Sequence, residues 1–119
     1  MNADTATLAI AALGDISADG AVNLTGNTGI STAGDVTTTG DLVNVNSATI
    51  LTDAVAIDTT STVPAGAAVR FFSTLDGTVA ATQTLGITAG TGGNVTFSGL
   101  VGDTTTLGAI TITSANDVT

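Results

Sequence analysis

Ten aspartates supply all the acidity of this chain and Arg70 all its positive charge, and His, Cys, Glu, Lys, Tyr and Trp do not occur. Nucleophile–histidine triads and general-base histidines therefore cannot be built. What remains is carboxylate chemistry. Asp15 and Asp35 each follow a glycine, twenty positions apart. If that spacing is one turn of a coil, the two carboxylates stack at about one strand spacing, ~4.8 Å. A separation near ~5 Å suits a retaining glycosidase, but no Trp or Tyr offers a sugar platform. No enzyme is expected. Calcium is the stronger chemical reading for Asp15 and Asp35, because carboxylates and turn carbonyls are hard ligands and stacked carboxylates repel without a counterion or solvent. Against it, the glycine-rich nonapeptide of calcium-binding β-rolls is missing. The plain structural alternative is an Asp at a bend accepting backbone N–H bonds. No other metal or cofactor is expected.

The elements that position these carboxylates must come from a restricted stock of side chains. The hydrophobic fraction is 43%, but much of it is Ala, and only three residues are aromatic. Such a chain fills a narrow core with Val, Ile, Leu and Ala. Abundant Thr, Val and Ile suit a pleated, half-buried strand, and 15 Gly permit sharp turns. Recurrent Gly and the absence of Glu and Lys disfavour sustained helix. The chain reads as all-β and, at 119 residues, as a single domain. Disorder in acidic, aromatic-poor chains goes with low hydrophobicity, whereas mean hydropathy here is +0.52.

Internal repetition then specifies the architecture. Residues 10–25 (IAALGDISADGAVNLT) and 30–45 (ISTAGDVTTTGDLVNV), shifted by 20, match at Ile10/Ile30, Gly14/Gly34, Asp15/Asp35 and Gly20/Gly40, with Ile16/Val36 and Val22/Leu42 as conservative pairs. Residues 50–65 keep the apolar start at Ile50 and then drift. Further on the unit lengthens. Val69-Arg70-Phe71 corresponds to Val95-Thr96-Phe97, Leu85-Gly86-Ile87-Thr88 to Ile110-Thr111-Ile112-Thr113, and Gly93-Asn94-Val95-Thr96 to Asn116-Asp117-Val118-Thr119. Residues 10–65 are thus expected to form coils of ~20 residues and residues 66–119 coils of ~23–26, in one solenoid segment of a longer repeat protein.

Apolar residues recur about six apart (Ile10, Ile16, Val22, then Ile30, Val36, Leu42), each bracketed by Gly, Asp, Asn or Thr. A helix needs three- and four-residue steps; short strands between tight bends fit directly. Three strands per coil give a parallel β-helix of five to six coils stacked at ~4.8 Å, a rod of roughly 25–30 Å. Ile10, Ile30 and Ile50 are expected to form one interior ladder, and Ile16, Val36 and Ile57 (or Val55) another. Thr37-Thr38-Thr39 and Thr104-Thr105-Thr106 are expected to face outward and hydrogen-bond along the stack. A β-sandwich of antiparallel strands is the alternative, disfavoured by the recurrence at 20.

Ser31-Thr32-Ala33-Gly34-Asp35-Val36-Thr37 and Gly40-Asp41-Leu42-Val43-Asn44 resemble the Ala-Gly-Gly-Asp-Leu-Thr coils of filamentous-haemagglutinin-like adhesins. Gly93-Asn94-Val95-Thr96-Phe97-Ser98-Gly99 through Ile112-Thr113-Ser114-Ala115-Asn116-Asp117-Val118 is similar to units of giant bacterial β-strand-repeat surface proteins. The resemblance covers about residues 10 to 119. It implies a right-handed parallel β-helix at a Gram-negative-type cell surface or released from it, and no catalytic residues. The family's N-terminal secretion domain has no counterpart here.

The formal net charge of −9 excludes partners that need clustered cations. Nucleic-acid binding is not expected, and an anionic membrane surface repels the chain. The longest apolar run, Leu8 to Leu13, is too short to span a bilayer. Met1-Asn2-Ala3-Asp4 begins no signal peptide, yet a composition free of Lys and Cys fits a secreted protein, so the expected location is extracellular or the bacterial cell surface. Asn23-Leu24-Thr25 and Asn94-Val95-Thr96 match the glycosylation sequon at a frequency that Asn and Thr abundance explains. The Thr clusters do not align at the 20-residue period, which disfavours a flat ice-binding array. Phe71, Phe72 and Phe97 are expected in the core or stacked at an end, with a binding patch as the competing role. Two functions follow: a non-catalytic adhesive or structural stalk whose host or cell-surface ligand the sequence does not name, or a subunit that self-associates end to end into an extracellular filament through exposed strand edges.

Overall fold

The structure, a computed structural model, describes all 119 residues. It contains fifteen strands and no helix: β1 Asn2–Ala3, β2 Leu8–Ile10, β3 Ile16–Ala18, β4 Val22–Gly26, β5 Ile30–Thr32, β6 Val36–Thr38, β7 Val43–Val45, β8 Thr49–Leu51, β9 Val55–Asp58, β10 Val69–Phe71, β11 Leu75–Gly77, β12 Thr84–Thr88, β13 Asn94–Phe97, β14 Ala109–Ser114 and β15 Asp117–Val118. Up to β13 every third strand returns to the same sheet; β14 and β15 then follow β12 and β13 at a step of two. The first face is β1-β4-β7-β10-β13-β15, the second β2-β5-β8-β11, and the third β3-β6-β9-β12-β14. All strand pairings are parallel, which rules out the antiparallel sandwich. The protein is a β-solenoid of about five turns, a β-helix repeat protein. Its Cα extents are 33 × 28 × 25 Å. No helix is long and apolar enough to cross a membrane.

Strands this short bury only alternate residues, so each coil contributes a few inward side chains and relies on its neighbours to cover them. The first face stacks Val22, Val43, Val69, Val95 and Val118 in one column and Leu24, Val45, Phe71 and Phe97 in the next. The third face stacks Ile16, Val36, Ile57, Ile87 and Ile112 beside Val55, Leu85 and Ile110. The ladder expected from Ile16, Val36 and Ile57 is therefore present. One cluster of buried apolar side chains runs through all three faces.

The second face departs from expectation. Its columns are Leu8–Ile30–Thr49–Leu75 and Ile10–Thr32–Leu51–Gly77. Ile10, Ile30 and Ile50 do not stack. Leu8 to Ile30 spans 22 positions and Ile30 to Thr49 spans 19, because the corner leading into this face changes length between coils. The observed offset of 19 differs by one from the expected 20, and a shift of one residue reverses the side of the sheet, so Ile50 faces outward, 47% exposed, between Ser31 and Asp76. The same drift pairs Val22 with Val43 rather than Leu42. The later matches hold in register, apart from a bulge after Ile87 that sets Thr88 against Ser114 instead of Thr113.

Several threonines are interior residues. Thr38 is fully buried, not outward, and its hydroxyl donates to the Asp41 carbonyl. Thr32 donates to Gly34, Thr49 to Ser47 and Thr59 to Ala67, in each case to a backbone carbonyl at a corner. An isosteric hydroxyl thus takes a Val-shaped place while satisfying a bend, which is how a buried polar group avoids its desolvation cost. Thr39 does link coils, donating to the Asp19 carboxylate at 2.6 Å.

Candidate functional site: carboxylates at one corner and a groove on the second face

The corner between the second and third faces brings Asp15 and Asp35 together. Asp15 Oδ1 accepts the Asp35 N–H at 2.9 Å, and Asp35 Oδ1 accepts the Ala56 N–H at 2.7 Å. Each carboxylate caps a backbone donor in the coil after its own, as expected of Asp at a bend. In the third coil Asp53 leaves this column and bonds the adjacent Ala54 N–H at 2.8 Å. Both Asp15 and Asp35 are exposed. Gly34 makes the stacking possible: a Cβ there would lie 2.8 Å from Ile10 Cγ2 and 3.0 Å from the Gly14 carbonyl oxygen. No three acidic side chains are gathered into one cluster.

A different carboxylate organises the largest concavity. On the second face the outward row runs Ala9, Ser31, Ile50, Asp76. The fifth coil lays no strand here, only a single bridge from Val101 to Leu75. Instead residues 102–107 fold outward over β11. Asp76 Oδ1 accepts the N–H groups of Thr104 and Thr105 at 2.9 and 3.1 Å, and Gly77 N–H donates to the Thr105 carbonyl at 3.0 Å. Asp76 is consequently only 9% exposed although it points away from the core. Its Oδ2 takes no hydrogen bond from the protein.

The overhang walls one side of a groove of about 250 Å³ that crosses the stack from Thr7 and Thr28 to Thr104 and Thr105. Ser31, Ile50 and Asp76 line its length, with Thr74 and Ala48 on the opposite rim. Thr7 and Thr28 bond each other through their hydroxyls at 2.9 Å. Asp76 is the one charged residue in the lining. A smaller enclosed space inside the core, between Leu24, Ile30, Val36 and Phe71, is apolar.

Sequence reasoning missed Asp76. A signal for it exists: the 26-residue match of Val43 with Val69 on the first face, carried forward, aligns Asp76 with Ile50 on an outward row. The Thr104–Thr106 run was expected as an outward ladder; Thr104 and Thr105 use their backbone donors on Asp76, and the Thr106 hydroxyl accepts the Ala81 N–H at 3.2 Å. Of the three phenylalanines, Phe71 is buried and stacks on Phe97 with centroids 5.3 Å apart, while Phe72 is half exposed. Both sequon asparagines lie in strands of the first face, where each accepts a side-chain hydrogen bond at 2.9 Å, Asn23 from Asn44 and Asn94 from Asn116. Arg70 occupies the outward row of Asn23 and Asn44, between Asn44 and Thr96. Asn44 Oδ1, buried on that row, has no partner. Comparison with protein-family models, with curated proteins and with solved structures finds no match to this chain.

Proposed function

We propose that this β-helix repeat protein is a non-catalytic structural and adhesive segment of an extracellular or bacterial cell-surface protein. The observation that supports it is the form of the stack: three continuous parallel sheets make a stiff prism whose lateral faces carry Thr, Asn, Ser and Asp in rows. Repeats that bury a core only through their neighbours place recognition on such lateral faces. Negative-stain electron microscopy at several concentrations and salt levels tests it. Discrete particles near the 33 Å dimension are the expected result. Long uniform fibres would replace this reading with a second one.

That second reading is end-to-end assembly, favoured by a difference between the two ends. Leu8 and Ile10, in the first coil, are 8% and 6% exposed. At the other end the last members of the same kind of column, Val101, Ile110 and Val118, are 39%, 38% and 49% exposed, beside the open edge of β14. An unpaired strand edge backed by open apolar side chains is a template for another chain. The net charge of −9 opposes association, and salt screens that repulsion over ~8–10 Å, so fibres on this reading lengthen as salt is raised.

A further inference from the structure

We propose that the groove on the second face binds a short, neutral saccharide, with Asp76 as its principal acceptor. The inference deepens the adhesive half of the function proposed above and rests on it. Its starting point is a half-used carboxylate. Asp76 is nine-tenths buried, and the two amides of the overhanging segment engage Oδ1 alone. The protein supplies no donor to Oδ2, which is not sealed from solvent and can take a ligand donor in place of water. Donors must enter along the groove.

The lining defines what they belong to. Around Asp76 stand the hydroxyl-bearing residues Thr74, Thr104 and Thr105, and further along Ser31 and the mutually bonded pair Thr28 and Thr7. A hydroxyl both donates and accepts, which matches a polyol. No cation lines the groove, so phosphate, sulfate and carboxylate ligands find no counter-charge on a chain of net charge −9. The apolar residues are few, Ile30, Ala48 and Ile50. Ile50, half exposed and directly beside Asp76 in register, offers one aliphatic surface for the C–H face of a sugar ring. Lipid or an apolar peptide would need far more. The volume of about 250 Å³ lies just under the ~300–1,000 Å³ of clefts for drug-sized ligands, which limits the ligand to one or two rings. The groove follows the stack across rows ~4.8 Å apart, a spacing that suits alternate, 1,3-related equatorial hydroxyl groups of one ring rather than adjacent ones.

The test is titration of the ¹⁵N-labelled full chain with methyl glycosides of glucose, galactose, mannose and N-acetylglucosamine and their disaccharides, to tens of millimolar. Saturable amide shifts at Ile50, Asp76, Thr104 and Thr105 with at least one sugar are expected. Asp76→Asn keeps a side-chain oxygen for the Thr104 and Thr105 amides, so the overhang persists, and it should weaken binding at least ~tenfold, the loss of a charge-assisted hydrogen bond. Ile50→Ser should weaken it less, and Ser17→Ala on the third face should leave it unchanged. The proposal is overturned if a folded chain shows no groove shifts with any sugar, if methylammonium or calcium chloride alone produces them, or if Asp76→Asn binds as wild type does. A plate assay on fixed epithelial and bacterial cells separates the two levels. Equal adhesion by wild type and Asp76→Asn removes the groove from the account and leaves the adhesive reading standing. Absence of adhesion by wild type together with a silent titration removes both.

Discussion

Two corners of this prism solve the same problem by opposite means. Between the second and third faces the chain is held by side-chain acceptors: Asp15 and Asp35 cap amides one coil on, and Asp76 and Gln83 hold the later bends, Gln83 Oε1 accepting the Thr78 and Val79 N–H groups at 2.9 Å each. Between the third and first faces the later coils are held by the absence of side chains. Residues 59–68 and 89–93 pass so closely that a Cβ on Gly66 would lie 2.1 Å from the Ala89 carbonyl oxygen, and one on Gly93 2.3 Å from the Ala67 carbonyl oxygen. Gly66 and Gly90 also have φ of 62° and 74°, the left-handed region that glycine occupies without penalty. An acceptor-held corner tolerates changes of length, because a carboxylate reaches. A backbone-on-backbone corner tolerates almost nothing.

Substitutions that exchange the two constructions should therefore differ in size. Gly93→Val, which drives a side chain into the Ala89 and Ala67 carbonyls, should cost about 3 kcal/mol or more or prevent folding; Gly86→Val, where a Cβ meets nothing within 4 Å, is the control that should fold normally in a urea titration. Thr59→Val probes a buried side-chain relay inside the glycine corner. Thr59 Oγ1 both donates to the Ala67 carbonyl and accepts the Ala67 N–H at 2.9 Å, so the isosteric change orphans a buried pair and should cost about 1–3 kcal/mol by the same titration. If it proves neutral, the close backbone packing around Gly66 and Gly93 holds this corner without the Thr59 relay and the contrast sharpens.

At the acceptor corner the effects are smaller. Asp35→Ala should lower stability by about 1 kcal/mol through loss of the bond to Ala56, with Asp35→Asn recovering most of it. A cost equal to that of Gly93→Val would erase the distinction between corners. Smallest, and opposite in sign, is Ala81→Gly. Ala81 has φ of 56° in the bend capped by Gln83, and relieving that strain should raise the melting midpoint by the equivalent of about 0.5 kcal/mol.

The acceptor corner is also the part of the molecule most legible in the sequence. Gly14-Asp15 and Gly34-Asp35 announce it, because a repeated Gly-Asp can be aligned without knowing what surrounds it, and the adjoining column of Ile16, Val36 and Ile57 follows from it. The second face was illegible for the complementary reason. Its inward column alternates Leu8, Ile30, Thr49 and Leu75, so Thr stands where an aliphatic residue was sought, and Ile50 offers an aliphatic residue on the wrong side. Period-2 alternation makes an error of one residue a reversal of face. The glycine corner escaped notice because close approach of two backbones leaves no mark beyond Gly itself, which this sequence uses for many bends. The groove escaped with it: Asp76 acquires its burial from residues 102–107, a fold-over that no repeat alignment encodes.

The pairing scheme has a last consequence, for how the molecule comes apart. Each strand is joined only to the strands one coil before and after it, so no contact closes a loop longer than about one turn, and cooperativity passes along the stack from neighbour to neighbour. Opening then begins where a coil has one neighbour and incomplete cover. Amide exchange should be fastest across β14 and β15, where Ile110 and Val118 are open, and should slow coil by coil toward Val43, Val69 and Leu51 in the middle. Unfolding would proceed as a front with a direction, set by which end of the prism was left uncovered.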